Sequence, residues 1–175
     1  GALGESFLMA NGPLYAKWMD DIREAQREDG CIPDVAPAFW NYYSENMTWP
    51  AALVLISDML YEQYGNIRPI QKNYQAMRPW MKHMKDEFMT AEYVVTRDRY
   101  GDWCLPPESL ELIHSKDPNR ITDGKLISTA YYYQMLKYLS KFAALLQLDT
   151  DIKEYNELAV KVKDGFNKAF WDKDK

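Results

Sequence analysis

The chain has 175 residues, of which 47% are apolar, 27% charged and 14% aromatic. This composition excludes a disordered chain, a collagen-like repeat and a disulfide scaffold, and the length suffices for one domain with its own core. The net charge of −5, without any block of Lys or Arg, gives no electrostatic basis for binding nucleic acid or an anionic membrane. The longest apolar run, 51–56, is far shorter than the roughly 20 residues of a membrane span.

Helical periodicity runs through most of the chain, and no segment alternates as a strand would. The first helix is predicted to end within 5–10, and Pro13 suits the first turn of a second helix that reaches about residue 28. A third, strongly apolar helix is predicted over 49–64. Thr48 is its expected N-cap, and Gly65 follows its end.

The second half of the chain repeats this alternation of apolar and amphipathic helices. An amphipathic helix is predicted from Pro69 to about residue 92. The next helix, over 126–146, is apolar around most of its circumference, with Thr122 or Asp123 as its cap. A last amphipathic helix is expected to run to residue 170 after an N-cap at Asp151.

Short and long connections alternate between these helices. Short turns are predicted near 11–12, 65–66 and 148–150, whereas long irregular segments cover 29–47 and 93–122. An all-α fold of three antiparallel helical hairpins follows, which would close into a toroid or stack into a solenoid. Both long loops then lie at one end, where they are expected to form a functional face.

The long loops combine aromatic rings with carboxylates. Flat rings pack on the C–H face of a sugar and carboxylates accept its hydroxyl hydrogens, so the loops favour a carbohydrate ligand. A phosphate ligand would need Arg, Lys or glycine-rich amide nests, which are not evident here. Alternatively, the chain is a non-catalytic helical-repeat module whose loop aromatics anchor a protein partner. The rings are Trp40, Tyr42, Tyr43, Trp49 and Trp103.

The loops also hold enough carboxylates for a glycosidase, which needs only two of them beside the scissile bond. Spacing alone does not choose among the candidates. Asp34 and Asp102 could equally cap turns beside Pro33 and Gly101. The candidates are Asp34, Glu45, Asp102, Glu108, Glu111 and Asp117.

Several other residues have simple structural interpretations. Trp18, Trp80 and Trp171 lie at core spacing on predicted helices and are expected to pack inside. His83, on a polar helix face, is expected to be solvated.

No metal or cofactor is expected. Glu111 and His114 have a metal-ligand spacing, but the motif occurs once and has no second ligand pair. Cys31 and Cys104 would form a disulfide only if the two loops meet, and two free thiols are the favoured alternative. His114 is instead a candidate hydrogen-bond donor to substrate.

Four loop motifs together resemble the α-L-rhamnosidases of glycoside hydrolase family 78, particularly those of Bacteroides-type bacteria. The stretches are Asp-Gly-Cys-Ile-Pro-Asp-Val-Ala-Pro at 29–37, Thr-Trp-Pro-Ala-Ala at 48–52, Tyr-Gly-Asp-Trp-Cys-Leu-Pro-Pro-Glu at 100–108 and Ile-His-Ser-Lys-Asp-Pro at 113–118. The resemblance covers essentially the whole chain, and the Gly-Asp-Trp stretch is fairly specific to the family.

The resemblance implies an (α/α)₆ barrel, of which three hairpins are about half, so 1–175 would be a catalytic domain truncated at both ends. The family hydrolyses terminal α-L-rhamnose with inversion, between an acid and a base about 6.5–9.5 Å apart. The acid is expected before residue 1 and the base after residue 175, so this chain carries neither. Glu5 is not expected to be the acid. Another six-hairpin glycosidase is the alternative.

The resemblance also assigns candidate substrate-binding residues. Trp49 and Trp103 match positions of the aromatic subsite wall, and Asp34 and Asp102 lie in the same motifs. Further candidates are Tyr43, Glu108 and His114. The implied partners are an α-L-rhamnoside and the remaining hairpins of the barrel, with no cofactor, and a periplasmic or secreted parent protein is expected.

Overall fold

The computed structural model describes residues 1–40, 42–100 and 122–171. These residues form six α-helices, and their one β-type pairing is an isolated bridge between Met89 and Val95. No helix in these ranges is long and apolar enough to cross a membrane. The all-α prediction is confirmed. The helices are α1 (Ala2–Ser6), α2 (Gly12–Glu24), α3 (Ala52–Tyr64), α4 (Arg68–Phe88), α5 (Gly124–Leu145) and α6 (Asp149–Phe170).

Short turns join these helices in three successive pairs, as predicted; α3 packs along α4 and α5 along α6, whereas the short α1 packs mainly against α3. The turn after α3 is closed by Gly65, whose φ of +63° lies in the left-handed region that favours glycine. Helix α3 packs against α2, α4 and α5, and α5 pairs closely with α6. The arrangement gives one continuous core with Trp80, Tyr74 and Tyr132 among its largest buried side chains.

Two predicted N-caps are wrong, and one is right. Asp123 accepts a hydrogen bond from the Lys125 amide at 2.9 Å, as a cap should. Helix α3, however, begins at Ala52 without a side-chain cap, and Thr48 lies in the turn before it, where its hydroxyl donates to the Asn46 side chain. Asp151 lies inside the first turn of α6, buried, and accepts a hydrogen bond from the Tyr74 hydroxyl at 2.8 Å, which ties α6 to α4.

The three tryptophans expected in the core differ in how deeply they are buried. Trp80 is fully buried, and Trp18 is half-buried against the core, with its indole N–H donating to the Ala36 carbonyl. Trp171 is 68% exposed, so its prediction is wrong. The helical stripe of α6 ends at Phe170, and Trp171 follows in extended backbone, which turns its ring away from the stripe.

The two long connections meet at one end of the hairpins, as expected. The Arg97 side chain donates from Nε to the Ser44 carbonyl at 3.3 Å, and the Tyr100 hydroxyl donates to Asp34. The first connection, described over 25–40 and 42–51, and the second, over 89–100, are therefore in contact.

Candidate functional site

Asn46 determines how the first long connection enters α3. Its side-chain oxygen accepts hydrogen bonds from the Thr48 amide at 2.9 Å, the Thr48 hydroxyl at 2.8 Å and the Trp49 amide at 3.0 Å. This turn of the Asx type fixes the backbone just before Trp49. The Trp49 side chain is consequently held in place while 41% of the residue surface remains exposed.

Asp34 lies at the centre of a hydrogen-bond network that joins the two connections. Its carboxylate accepts from the Ser44 hydroxyl at 2.6 Å, from the Asn46 side-chain amide at 3.0 Å and from the Tyr100 hydroxyl. Burial and this bond to Asp34 together raise the pKa of Tyr100, so Tyr100 stays a neutral donor. The carboxylate has few acceptor positions left for another donor.

Trp49 and Tyr100 form an aromatic platform beside Asp34. Their ring centroids are 4.9 Å apart with an interplanar angle of 30°, a stacked arrangement. A groove of about 370 Å³ runs along this surface and is lined by Asp34, Thr48 and Trp49 among others. That volume lies within the range of roughly 300–1,000 Å³ typical of small-molecule pockets.

Tyr43 anchors the first connection to the end of α2. Its hydroxyl donates to the Ala25 carbonyl at 2.7 Å, and the Arg27 guanidinium lies 5.0 Å from the ring centroid in a cation–π contact. The hydrogen of the Tyr43 hydroxyl is therefore already donated within the protein. That Tyr43 contacts substrate stays a prediction.

Four of the seven candidate site residues lie outside the described ranges. They are Asp102, Trp103, Glu108 and His114. Cys104, Glu111 and Asp117 lie in the same segment, so their predicted roles remain predictions. The structure thus brings together Asp34 and Trp49, and it places Tyr43 behind them.

His83 is buried rather than solvated, so that prediction is wrong. Its side chain is 8% exposed because the first connection folds over this face of α4. His83 Nε2 lies 3.6 Å from one carboxylate oxygen of Glu45, and Arg97 Nη2 lies 3.6 Å from the other.

Three residues of this site were not predicted as site residues from the sequence: Ser44, Asn46 and Tyr100. The spacing of Asn46 before Thr48 is a recognisable turn signal, and Tyr100 stands at the head of the Tyr-Gly-Asp-Trp motif. Their contacts with Asp34 join positions 10, 12 and 66 residues apart, which no local pattern encodes.

Several known proteins that are similar to this chain in sequence and fold are α-L-rhamnosidases. An α-L-rhamnosidase of Formosa agariphila is 26% identical over 167 residues, which cover 93% of this chain and 17% of that protein. The structure of the Dictyoglumus thermophilum α-L-rhamnosidase matches with a TM-score of 0.82 at 35% identity, over 94% of this chain and 17% of that one. The Streptomyces avermitilis α-L-rhamnosidase, solved in complex with L-rhamnose, matches with a TM-score of 0.79 at 25% identity, over 95% and 15%.

The chain thus spans only about a sixth of the length of these relatives. The family model for the six-hairpin glycosidase domain of bacterial α-L-rhamnosidases matches residues 1–175. The three hairpins are therefore part of a six-hairpin domain, and the chain belongs to the bacterial α-L-rhamnosidase six-hairpin glycosidase family.

Proposed function

We propose that residues 1–175 are part of the catalytic domain of an inverting α-L-rhamnosidase, which removes terminal α-L-rhamnose from glycosides or polysaccharides. The observation that carries the proposal is the stacked Trp49–Tyr100 platform, which is tied to Asp34 beside an open groove. Family membership over the whole chain supports the same reaction.

The platform has the chemistry of a sugar subsite. The exposed ring of Trp49 offers an apolar surface to the C–H face of a rhamnose ring, whose methyl group adds apolar area. Asp34 holds Tyr100 in place through a hydrogen bond. Any lone pair of its carboxylate that the protein donors leave free can accept a hydrogen bond from a sugar hydroxyl. Asp102, Trp103, Glu108 and His114 are proposed to complete the subsite, and Tyr43 to support it.

The chain is proposed to supply subsite walls rather than the catalytic acid and base. The inverting reaction requires two carboxyl groups on opposite sides of the bond, one of them free to activate water. Of the carboxylates on the first connection, Asp34 is engaged by three side-chain donors and by the Ser44 amide, and Glu45 faces Arg97 and His83. This supports a catalytic pair elsewhere in the domain.

Trp49→Ala, made in the protein that carries this chain, tests the proposal by hydrolysis of an aryl α-L-rhamnoside. We expect kcat/KM to fall about tenfold or more, because both stacking and apolar contact with the sugar are lost. Trp171→Ala removes another exposed indole, at the end of α6, and is expected to leave kcat/KM unchanged. Equal activities of the two variants would contradict the proposal.

A protein-binding module is the second candidate, and it is favoured by the exposure of Phe39, which is 99%, next to Trp40 in an edge-to-face pair. If the chain is a protein-binding module, L-rhamnose leaves its tryptophan fluorescence unchanged, whereas a sugar subsite at Trp49 alters that fluorescence.

The 175-residue chain alone is expected to hydrolyse nothing. Release of rhamnose by the pure chain, abolished in Trp49→Ala, would show that it contains its own catalytic groups.

A further inference from the structure

Three metal-ligating side chains of different types converge behind the candidate sugar subsite. Cys31 and Glu45 come from the first connection and His83 from α4, and one ligand atom of each lies within 4.8 Å of the other two. Within this group, His83 Nε2 and Glu45 Oε1 are 3.6 Å apart. The group lies one residue from Ser44, which bonds to Asp34.

The imidazole of His83 points an unsatisfied nitrogen into this group. Its Nε2 is buried and has no hydrogen-bond partner among residues 1–40, 42–100 and 122–171. The distance to Glu45 is too long for a hydrogen bond. Because a buried polar atom without a partner costs free energy, such an atom calls for a ligand to complete it.

The neighbouring side chains hold the three donors in place. The ring of His83 packs edge-on against Phe88, with centroids 5.9 Å apart. Arg97 lies at the outer oxygen of Glu45, which leaves the inner oxygen facing His83. The Cys31 amide donates to the Asp29 carboxylate at 2.9 Å, so the thiol is presented from a fixed backbone. Outer contacts of this kind are what orient metal ligands in proteins.

We propose that Cys31, Glu45 and His83 form a zinc-binding site that ties the subsite loop to α4. A thiolate, an imidazole and a carboxylate are all zinc ligands, and three protein ligands leave a fourth position for water. Tetrahedral bonds of about 2.0–2.3 Å place ligand atoms roughly 3.4–3.7 Å apart. His83 Nε2 and Glu45 Oε1 already have that spacing, and the Cys31 sulfur has to approach them by at most about 1.1–1.4 Å.

Zinc binding at this group releases one proton. A cysteine thiol is mostly protonated at neutral pH, so the metal-free residue carries its proton. The thiol proton leaves to solvent as the sulfur–zinc bond forms, and neither oxidation nor reduction occurs. The metal then satisfies the imidazole nitrogen and adds a second link between the first connection and α4, which the Gln26 side chain already joins by donating to the Ala76 carbonyl at 2.8 Å.

Cobalt substitution tests the site directly, because Co²⁺ takes the tetrahedral geometry of zinc and its thiolate bond absorbs in the near ultraviolet. The reduced, metal-free chain is titrated with CoCl₂, and then with ZnCl₂ in competition. We expect one equivalent of Co²⁺ to give both the thiolate charge-transfer band and intense visible bands, which one equivalent of Zn²⁺ abolishes. Zinc is also expected to raise the Tm.

The chain supplies matched controls, since it contains only two cysteines and two histidines. Cys31→Ser is expected to abolish the charge-transfer band, and His83→Gln to weaken Co²⁺ binding at least about 100-fold. Cys104→Ser and His114→Gln are expected to bind Co²⁺ as the unsubstituted chain does. Circular dichroism checks that each variant stays helical. If Cys31→Ser or His83→Gln loses its helical structure, Glu45→Gln replaces that variant in the test. Glu45 is only partly buried, and its substitution is expected to cause the same loss of Co²⁺ affinity.

Several results would overturn the proposal. One is a folded, reduced chain that shows no thiolate band with Co²⁺, which would indicate that water satisfies His83 instead. Another is a band that survives in Cys31→Ser and disappears in Cys104→Ser. A disulfide between the two cysteines, identified by mass spectrometry in the protein as isolated, would also exclude the site. None of these results depends on the rhamnosidase proposal.

Discussion

The Tyr100 hydroxyl donates a hydrogen bond to the Asp34 carboxylate across a separation of 66 residues in sequence. The ring that carries this hydroxyl also stacks on Trp49. One side chain thus positions the exposed indole and links the two long connections. Loss of the hydroxyl should disturb both.

Tyr100→Phe is expected to lower the free energy of unfolding by about 1–2 kcal/mol. The stacked ring remains, but Asp34 loses one of its three side-chain donors, and hydrogen bonds to charged groups are stronger than neutral ones. Urea unfolding followed by circular dichroism measures the change. Rhamnoside hydrolysis by the protein that carries the chain should also weaken, through a higher KM.

Tyr42→Phe is the control for that substitution. Tyr42 lies on the first connection, whereas Tyr100 lies on the second. Tyr42 is 41% exposed, and its hydroxyl makes no hydrogen bond within the described part of the chain. Its free energy of unfolding should therefore change by less than about 0.5 kcal/mol. Equal losses in the two variants would show that the Tyr100–Asp34 bond adds nothing.

Local patterns predicted the helices well because periodicity and capping act within a few residues. Asp123 caps α5 where the sequence placed a cap, and Gly65 ends α3. Asp151 has the residue type of a cap at nearly the right position, yet it faces Tyr74 on another helix. A tertiary hydrogen bond had displaced the local one, which only the packed structure reveals.

The aromatic residues of the candidate site could be predicted from the sequence, but the contacts between distant residues could not. Trp49 stood out as an aromatic residue next to acidic loops, and the structure leaves it exposed beside Asp34. His83 was misjudged because its helix face is polar in sequence, whereas the loop residues beside it, Glu45 and Cys31, lie 38 and 52 residues upstream. Which side of a helix a distant loop covers is not encoded in helical periodicity.

Gly165→Ala is expected to destabilise the fold by about 1–3 kcal/mol, against the usual trend for a helix. Alanine in place of glycine ordinarily stabilises a helix interior by roughly 0.5–1 kcal/mol. Here a Cβ atom would lie 2.2 Å from the Glu92 carbonyl oxygen, so α6 or the 90–93 turn must move. Thermal unfolding measures the loss as a lower Tm.

Gly4→Ala is the matched control, because a Cβ at Gly4 in α1 meets no atom within 4 Å. It should raise the Tm slightly or leave it unchanged. A Gly165→Ala variant as stable as Gly4→Ala would mean that α6 does not pack on that turn.

The Tyr15–Glu5 pair predicts a loss of stability at alkaline pH. The Tyr15 hydroxyl donates to Glu5 at 2.6 Å, and this bond, reinforced by burial, raises the pKa of Tyr15 from 10.0 to about 12. A raised folded-state pKa stabilises the fold fully below pH 10, and the contribution is lost as pH rises toward 12, because the unfolded chain releases its proton first. Urea unfolding between pH 9 and about 12 measures this slope.

Glu5→Gln isolates the contribution of that pair. The amide oxygen still accepts the hydrogen bond, but without a negative charge it raises the pKa of Tyr15 less, so the free energy of unfolding should fall less steeply above pH 10. Glu28→Gln, at an exposed carboxylate with no hydrogen bond or ion pair in the described ranges, should retain the original slope. Identical slopes in all three proteins would contradict the prediction.

An exposed apolar patch at the start of the chain predicts self-association of the isolated 175-residue chain. Phe7, Leu8, Met9 and Leu14 are 62–81% exposed. Soluble monomers rarely leave such clusters uncovered. Sedimentation velocity at several concentrations should show a concentration-dependent increase in mean mass.

The variant Leu14→Glu should reduce this association while keeping α2 intact, since a carboxylate in the first turn suits the helix dipole. Val160→Glu, on the exposed face of α6, should not reduce it. A monomer at every concentration would show that the patch stays solvated.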